Sequence, residues 1–588
     1  MNKTPDGDFQ TYKSENGAFV RENFFGRDPR TAGMVSSWSD DEIWNLKRGG
    51  HDYQKLYAAY KAASEHNGRP TVILAKTIKG WTLGSHFEAR NSTHQMKKMT
   101  LDDLKNFRDR LFIPIKDEDL DAKLPPYCHP GVTSPEYAYM MERRNQLGGF
   151  LPSRRSVSKP LPQPADESYE SVKRGSGAQE VATTMAFVRL LKDLLKDPGM
   201  GKRFVPIIPD EARTFGMDSL FPTLKIYSPQ GQGYTAVDRE LMLSYKESKE
   251  GVILHEGINE AGSVASFTAV GSSYATHDEP MIPIYIFYSM FGFQRVGDLI
   301  WQAADSRTRG FLLGATAGRT TLMGEGLQHQ DGHSLVLAST VPACQSYDPA
   351  FAYEVAAIVK HGLNRMYGDA KGPNGEVDPD VFYYLTLYNE NYIMPARPAG
   401  VTDAHIVSGL YKWQAAPPDS NIKHNATVLF SGSAQGAAIA AAEELKTRFN
   451  IGVELWSATS YKALREDALA VERDNRLHPS HPDKVARVTS LLGGSTDPIV
   501  AVTDFMKIVP EQIARFVPGR LFTALGTDGM GRSDTREALR AHFEVDMPNI
   551  VIAVLASLAQ SGSVGADIVE GAIAHYGLDP ARTDPYIV

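Results

Sequence analysis

Residues 281–318, MIPIYIFYSMFGFQRVGDLIWQAADSRTRGFLLGATAG, decide the fold class. The run MIPIYIFY has the length and composition of a strand covered on both faces. VGDLIWQAADSR is amphipathic and long enough for a helix, and GFLLGATAG is a second buried strand. A strand, a helix and a strand in succession imply parallel neighbours in one sheet. The same alternation extends outward through RFVPIIP at 203–209, INEAGSVASFTAVGSSYA at 258–275 and AYEVAAIVKHGLNRM at 352–366. It predicts an α/β chain built on mostly parallel, doubly wound sheets.

Two stretches punctuate this rhythm. LPSRRSVSKPLPQPADESYESVKRGSG, 151–177, is polar and rich in turn formers, as an interdomain linker is. Near 388–424, PARPAGVTDAHIVSG and QAAPPDSNIKHN break the pattern before ATVLFSGS, AAIAAAEELKTRF, GVELWSA, DPIVAVTDF and LFTALGTDG restart it. A further, smaller α/β domain is expected there. Ahead of the first break, DYQKLYAAYKAASEH reads as a helix and TVILAKTIKG, 71–80, as a buried strand ending in a glycine turn.

Length and charge narrow the function. The chain has 588 residues, 62 Lys and Arg against 70 Asp and Glu, and a formal charge of −8, which argues against a general nucleic-acid binder. No run approaches the roughly 20 apolar residues that cross a bilayer, and MNKTPDGDFQTYKSENG lacks a signal-peptide core. A cytoplasmic protein without a membrane partner is expected. Cys128 and Cys344 cannot build a disulfide framework or a four-cysteine metal site.

In α/β folds chemistry gathers at the carboxyl ends of strands. PDEARTFG places Asp210 and Glu211 after RFVPIIP, where they are an active-site pair or a helix-start pair. GINEAG starts an apolar helix with Glu260, whose neighbours Ile258, Ala261, Val264, Ala265 and Phe267 are expected to be buried. An acid there needs a partner, or is held for a cofactor nitrogen. Tyr288, Phe291 and Phe293 follow the strand MIPIYIF, as core packing or as a stacking platform for a heterocycle. LMGEGLQHQDGHS holds Glu325, His329, Asp331 and His333; the glycines oppose a helix, and with it a zinc site built on the two imidazoles. SHFEARNSTHQMKKM carries Glu88 and His94 on a loop beyond Lys79, either a solvated loop or a lid delivering an acid or base.

VPIIPDEARTFGM, EGINEAGS, IFYSMFGFQR, GEGLQHQDGHS, TDGMGRSDTREALRAHFEVD, ENFFGRDP, LKRGGHD, AKTIKGWTLG and THQMKKM together resemble the homodimeric, acetyl-transferring pyruvate dehydrogenases. These are the thiamin-diphosphate component of the pyruvate dehydrogenase complex. Transketolases are similar in fold and match these segments less well. The resemblance implies a transketolase-like fold in which 1–150 is the C-terminal remainder of a diphosphate-binding domain. A linker would span 151–177, a pyrimidine-binding domain 178–390 and a transketolase-type domain 391–588. It implies a homodimer that uses thiamin diphosphate and Mg2+, with pyruvate and the lipoyl domain of dihydrolipoyl acetyltransferase as partners.

By the same resemblance, Glu260 would contact the pyrimidine nitrogen and Phe291 would stack on its ring, with Ile258, Tyr288, Asp210, Glu211 and Lys79 at other cofactor positions. His94 matches a mobile-loop proton donor, His329 with Glu325 the pocket facing the substrate, and Glu88 and His333 positions beside them. Gln230 to Lys246 resembles a second loop over the entrance. The departure is the metal site: no Gly-Asp-Gly, the motif that supplies hard oxygen ligands to Mg2+, occurs anywhere in the chain. A fragment holding about half of the cofactor site is therefore expected, its metal ligands lying outside it. A cofactor-free assembly subunit, a metal hydrolase using Glu325, His329 and His333, and a dehydrogenase for another 2-oxo acid stay open.

Overall fold

The computed structural model describes residues 3–46, 49–121, 124, 126–150, 158–209, 212–237, 239–240, 245–323 and 325–588. They fall into two compact units, Met1–Phe150 and Leu151–Val588.

The first unit is helical. Its longest helix, α1 (Tyr53–Glu65), starts where the Asp52 carboxylate accepts the N–H groups of Gln54 and Lys55. α1 buries none of its residues, and its tyrosines 53, 57 and 60 face solvent. Residues 71–78, expected as a buried strand, join no ladder, and Val72 and Leu74 are 80% and 91% exposed. The composition is that of a strand, but a strand needs a neighbour for its peptide groups, and the described residues of this unit hold no other extended segment to pair with it. Lys76 instead accepts the Gly50 N–H at 3.1 Å, and Ile78 donates to His51 Nε2 at 2.7 Å.

Among its described residues the second unit holds two large sheets and two small two-stranded ones. Six parallel strands, β1 (Phe204–Ile208), β2 (Leu254–His255), β3 (Ile282–Tyr288), β4 (Gly310–Ala315), β5 (Cys344–Tyr347) and β6 (Phe382–Thr386), lie in the order β2-β1-β3-β4-β6-β5. In β3, Ile282, Ile284 and Ile286 enter one apolar cluster while Tyr285 and Phe287 enter the other, so both faces are covered. Helices α2 (Glu260–Gly271) and α3 (Phe293–Asp305) put Val264, Phe267, Val296 and Ile300 into the second cluster; α4 (Ala352–Tyr367) fills the first.

The second sheet comprises β7 (Tyr411–Gln414), β8 (His424–Phe430), β9 (Ile451–Ser457), β10 (Ile499–Val502) and β11 (Phe522–Leu525) in the order β7-β9-β8-β10-β11. Only β7 runs antiparallel to its neighbour. Both apolar clusters continue from one sheet into the other, so the two share a core. Arg536–Gln560 is apolar enough by composition to span a bilayer, but it is two helices, and Ile550, Val551, Val554, Leu555 and Leu558 of the second lie in that core.

From Ser158 the proline-marked stretch read as a linker packs onto this unit through Leu161, Tyr169 and Val172; residues 151–157 lie outside the described residues. The Leu161 N–H donates to the Tyr367 carbonyl, Arg309 donates to the Ser158 hydroxyl, and Lys360 pairs with Asp166, so polar contacts add to these three apolar side chains. α2 also departs from expectation. Val264 and Phe267 are buried, whereas Ile258, Ala261 and Ala265 face solvent, because only one side of the helix meets the sheet.

Candidate active site

Three chain segments meet beyond the carboxyl end of β3. The strand ends at Tyr288, a single 3-10 turn (Ser289–Phe291) follows, and α3 begins after Gly292, so eight residues deliver Tyr288, Phe291 and Arg295. Gly292 is required: a Cβ there would lie 2.1 Å from the Phe287 ring. Beside this turn α2 begins with Glu260, capped by Asn259, whose side-chain oxygen accepts the Gly262 N–H at 3.0 Å. The third segment, Glu325 to Ser334, follows β4.

The rings form one cluster. Tyr288 and Phe291 lie with centroids 4.9 and 5.3 Å from His329, and Phe215 packs on Tyr288 at 5.0 Å. His329 Nδ1 is 2.7 Å from the Glu325 carbonyl oxygen. A carbonyl only accepts, so Nδ1 is the donor, and Nε2 is the ring nitrogen left for another partner. Glu325 Oε2 is buried with no hydrogen-bond partner among the described residues, which is costly unless a ligand supplies one. Glu260 does have the partner its burial calls for: Arg295 Nη1 donates to its Oε1 at 2.9 Å. The same guanidinium lies 3.9 Å above the centroid of Phe291.

A buried carboxylate holds the third segment. Asp331, fully buried, accepts the N–H groups of His333 and Ser334, and His333 Nε2 reaches Gln294 Oε1 at 2.7 Å. Residues 327–329 form a 3-10 turn and a short helix starts at Ser334, so the two imidazoles do not share a helical face. Among the described residues no three His, Cys, Asp or Glu side chains are grouped to hold a metal ion. Behind the loop, Asp504 accepts the N–H groups of Arg319 and Thr320 and the Ser433 hydroxyl; burial pushes its carboxyl up to about 7. A Cβ on Gly318, which has φ +85°, would meet this carboxylate at 2.2 Å.

The sequence-derived positions divide accordingly. Glu260, Phe291, Tyr288, Glu325, His329 and His333 converge. Ile258, expected among buried neighbours, is 75% exposed. Asp210 and Glu211 lie outside the described residues, as do Asp238 and 241–244 of the second expected loop. In the first unit Lys79 and His94 are exposed, His94 ending a short 3-10 turn. Glu88 is buried, as are its neighbours Phe87 and Ala89, and not solvated as expected of a loop: it accepts the Thr82 N–H at 2.8 Å and pairs with Arg110 at 2.6 Å and Lys13 at 3.1 Å. Burial alone would raise its carboxyl, but Lys13, Arg110 and the Thr82 N–H hold it below the usual carboxylate range. Sequence reasoning missed Arg295, Gln294 and Asp504; the nearest signal was an unassigned cation four residues beyond Phe291.

The family model for the pyruvate dehydrogenase E1 component middle domain matches residues 160–395, and that for the transketolase-like C-terminal domain matches 409–546. The chain is 58% identical to the pyruvate dehydrogenase E1 component of Mycolicibacterium smegmatis over 98% of its length, and 47% identical to that of Escherichia coli K12 over 100%. Over nearly its whole length the chain is similar to pyruvate dehydrogenase E1 components. It spans 62% and 64% of the length of these two relatives. The chain also resembles solved transketolases in fold. That of Campylobacter jejuni superposes with a TM-score of 0.57 at 15% identity over 89% of this chain and 70% of the other. For that of Leishmania mexicana the values are 0.54, 17%, 88% and 66%. The transketolase-like α/β fold agrees with the reading of its strands and helices.

Proposed function

We propose that this chain carries part of a thiamin-diphosphate-dependent pyruvate dehydrogenase, an enzyme that decarboxylates pyruvate oxidatively and acetylates the lipoyl group of dihydrolipoyl acetyltransferase. The observation that carries this reading is the pairing of Glu260 with Phe291 at the carboxyl end of β3. A flat group with N–H donors, the Arg295 guanidinium, already lies on the Phe291 ring and donates to Glu260. The pair therefore accepts a planar, nitrogen-bearing ring, and the residues fit the pyrimidine end of the cofactor. When bound, thiamin diphosphate supplies a nucleophilic carbon and a sink for the electrons released with CO2.

The chain's own groups have separate tasks. Glu260 holds a proton at the ring nitrogen through a carboxylate that is only 12% exposed. Phe291 fixes the ring plane. His329, its Nδ1–H tied to the Glu325 carbonyl, turns Nε2 toward the substrate side, where it accepts or returns a proton. The unpartnered Glu325 oxygen takes a donor from the ligand. The apolar walls exclude water, which favours loss of a carboxylate charge. His94 would give a proton to the sulfur released when the lipoyl dithiolane opens, and Lys79, Tyr288 and Glu88 would support the cofactor and loop. Mg2+ finds no donor set among the described residues.

On this reading 1–150 belongs to the diphosphate-binding domain, 151–177 links, 178–390 binds pyrimidine, and 391–588 is the transketolase-type domain. A second copy completes each site, and the enzyme works in the cytoplasm. Titration of the chain with thiamin diphosphate and Mg2+, followed by tryptophan quenching, tests the reading. Saturable binding that Glu260→Gln weakens at least tenfold is expected. Binding indifferent to Glu260 would overturn it.

A further inference from the structure

Arg295 sits in the first turn of α3, where a cation is disfavoured by the helix dipole, yet it points back over Phe291 to Glu260. The rings of Tyr288 and His329 stand at 66° and 61° to that of Phe291, whereas the guanidinium lies over its face. At 3.9 Å from ring centroid to Cζ no second planar group fits between them. We propose that Arg295 is an internal stand-in, its guanidinium closing the Glu260–Phe291 half-site in the free chain and swinging out before a planar ring enters. The inference rests on the assignment of that half-site above.

Three features suit the task. A guanidinium is flat, delocalised and weakly hydrated, and it presents N–H donors at its edge, so it satisfies an aromatic face and a carboxylate together, as an aminopyrimidine would. The Arg295 side chain is 48% exposed while that of Glu260 is 12% exposed, so the arginine can withdraw into water and leave the carboxylate in place. The backbone next to it departs from helical geometry: Val296 has φ −129° and ψ 26°, which separates residues 293–295 from the regular part of α3. The Arg295 side chain lies at this break and can swing out while Phe293 and Ile300 stay packed in the core.

The closing contact is a partly exposed ion pair plus a cation over a ring, so its removal should tighten binding by about tenfold. The probe is 4-amino-2,5-dimethylpyrimidine, which is uncharged and carries neither diphosphate nor thiazolium. Its affinity for the 588-residue chain is read by equilibrium dialysis, and the reactivity of Arg295 toward phenylglyoxal by peptide mapping. Arg295→Met is expected to bind the probe about tenfold tighter than the parent chain. Arg295→Lys, which keeps the charge and loses the planar stack, should gain less. Probe binding to the parent chain should expose Arg295 to the reagent. Unchanged or weaker binding by Arg295→Met, while Glu260→Gln still weakens binding, would overturn the stand-in and keep the half-site. Binding that ignores Glu260→Gln would overturn the half-site itself. No binding by Arg295→Met would overturn the stand-in, because an opened half-site must accept the ring.

Discussion

The carboxylate of Asp331 accepts the backbone N–H of His333 at 3.0 Å from a position with no solvent exposure. With Ser334 as its second donor at 2.9 Å, it fixes the turn that follows His329. Asp331→Ala would leave the buried Ser334 N–H and the half-buried His333 N–H unmatched, and a loss of about 1–3 kcal/mol per group bounds the cost. The expected outcome, in the chain's denaturant midpoint, is a clear fall, with binding of the pyrimidine probe weakened as the loop loosens.

His329→Gln separates chemistry from folding. The ring is partly exposed and its backbone stays tied within the turn, so stability should move by under about 1 kcal/mol. Under the proposed function, pyruvate decarboxylation should fall by about 10²–10⁴-fold once Nε2 can no longer move a proton. A fall confined to substrate affinity would reduce His329 to a packing role.

Glu88 gives the first unit an acid limit. Its carboxyl titrates lower in the folded unit than in the unfolded chain, so its stabilisation is present above the ordinary carboxylate value of 4.5 and is lost as pH falls through the folded value. Glu88→Gln should destabilise this unit at pH 7 by about 1–3 kcal/mol and flatten its acid unfolding below pH 4.5. Circular dichroism of both proteins across that range reads the effect.

Asp504 acts with the opposite sign in the second unit. Its carboxyl is raised from 3.8 to about 7, so the folded chain binds a proton that the unfolded chain releases, and stability falls as pH rises through that window. Asp504→Asn should remove this component: between pH 4 and 7 the denaturation midpoint of the variant should decline less than that of the parent chain. Equal slopes would place the ionisation elsewhere.

Parallel strands covered on both faces read as unbroken apolar runs, which is why β1, β3, β4, β8, β9 and β10 could be found from sequence alone. Residues 71–78 have the same look and a different fate, because pairing is a property of neighbours and not of the segment. Glu260, Phe291 and His329 were readable because each sits in a distinctive motif beside a strand or helix end. Arg295 was not, since its role arises only when α3 returns beside α2, 35 residues from Glu260. Asp504 lies 185 residues from Arg319, whose N–H it accepts, and no local pattern encodes such a meeting. Glu88 looked like part of a solvated loop because its two cations come from helices elsewhere in its unit.

Val72 and Leu74 stand out from an extended backbone that joins no ladder among the described residues. An open row of peptide groups flanked by apolar side chains is a template on which another chain can add a strand. At high concentration, copies of this protein should therefore stick edge to edge and scatter light before either unit melts. Val72→Lys should suppress that turbidity while leaving the pyrimidine half-site untouched, and equal turbidity in both proteins would acquit this edge.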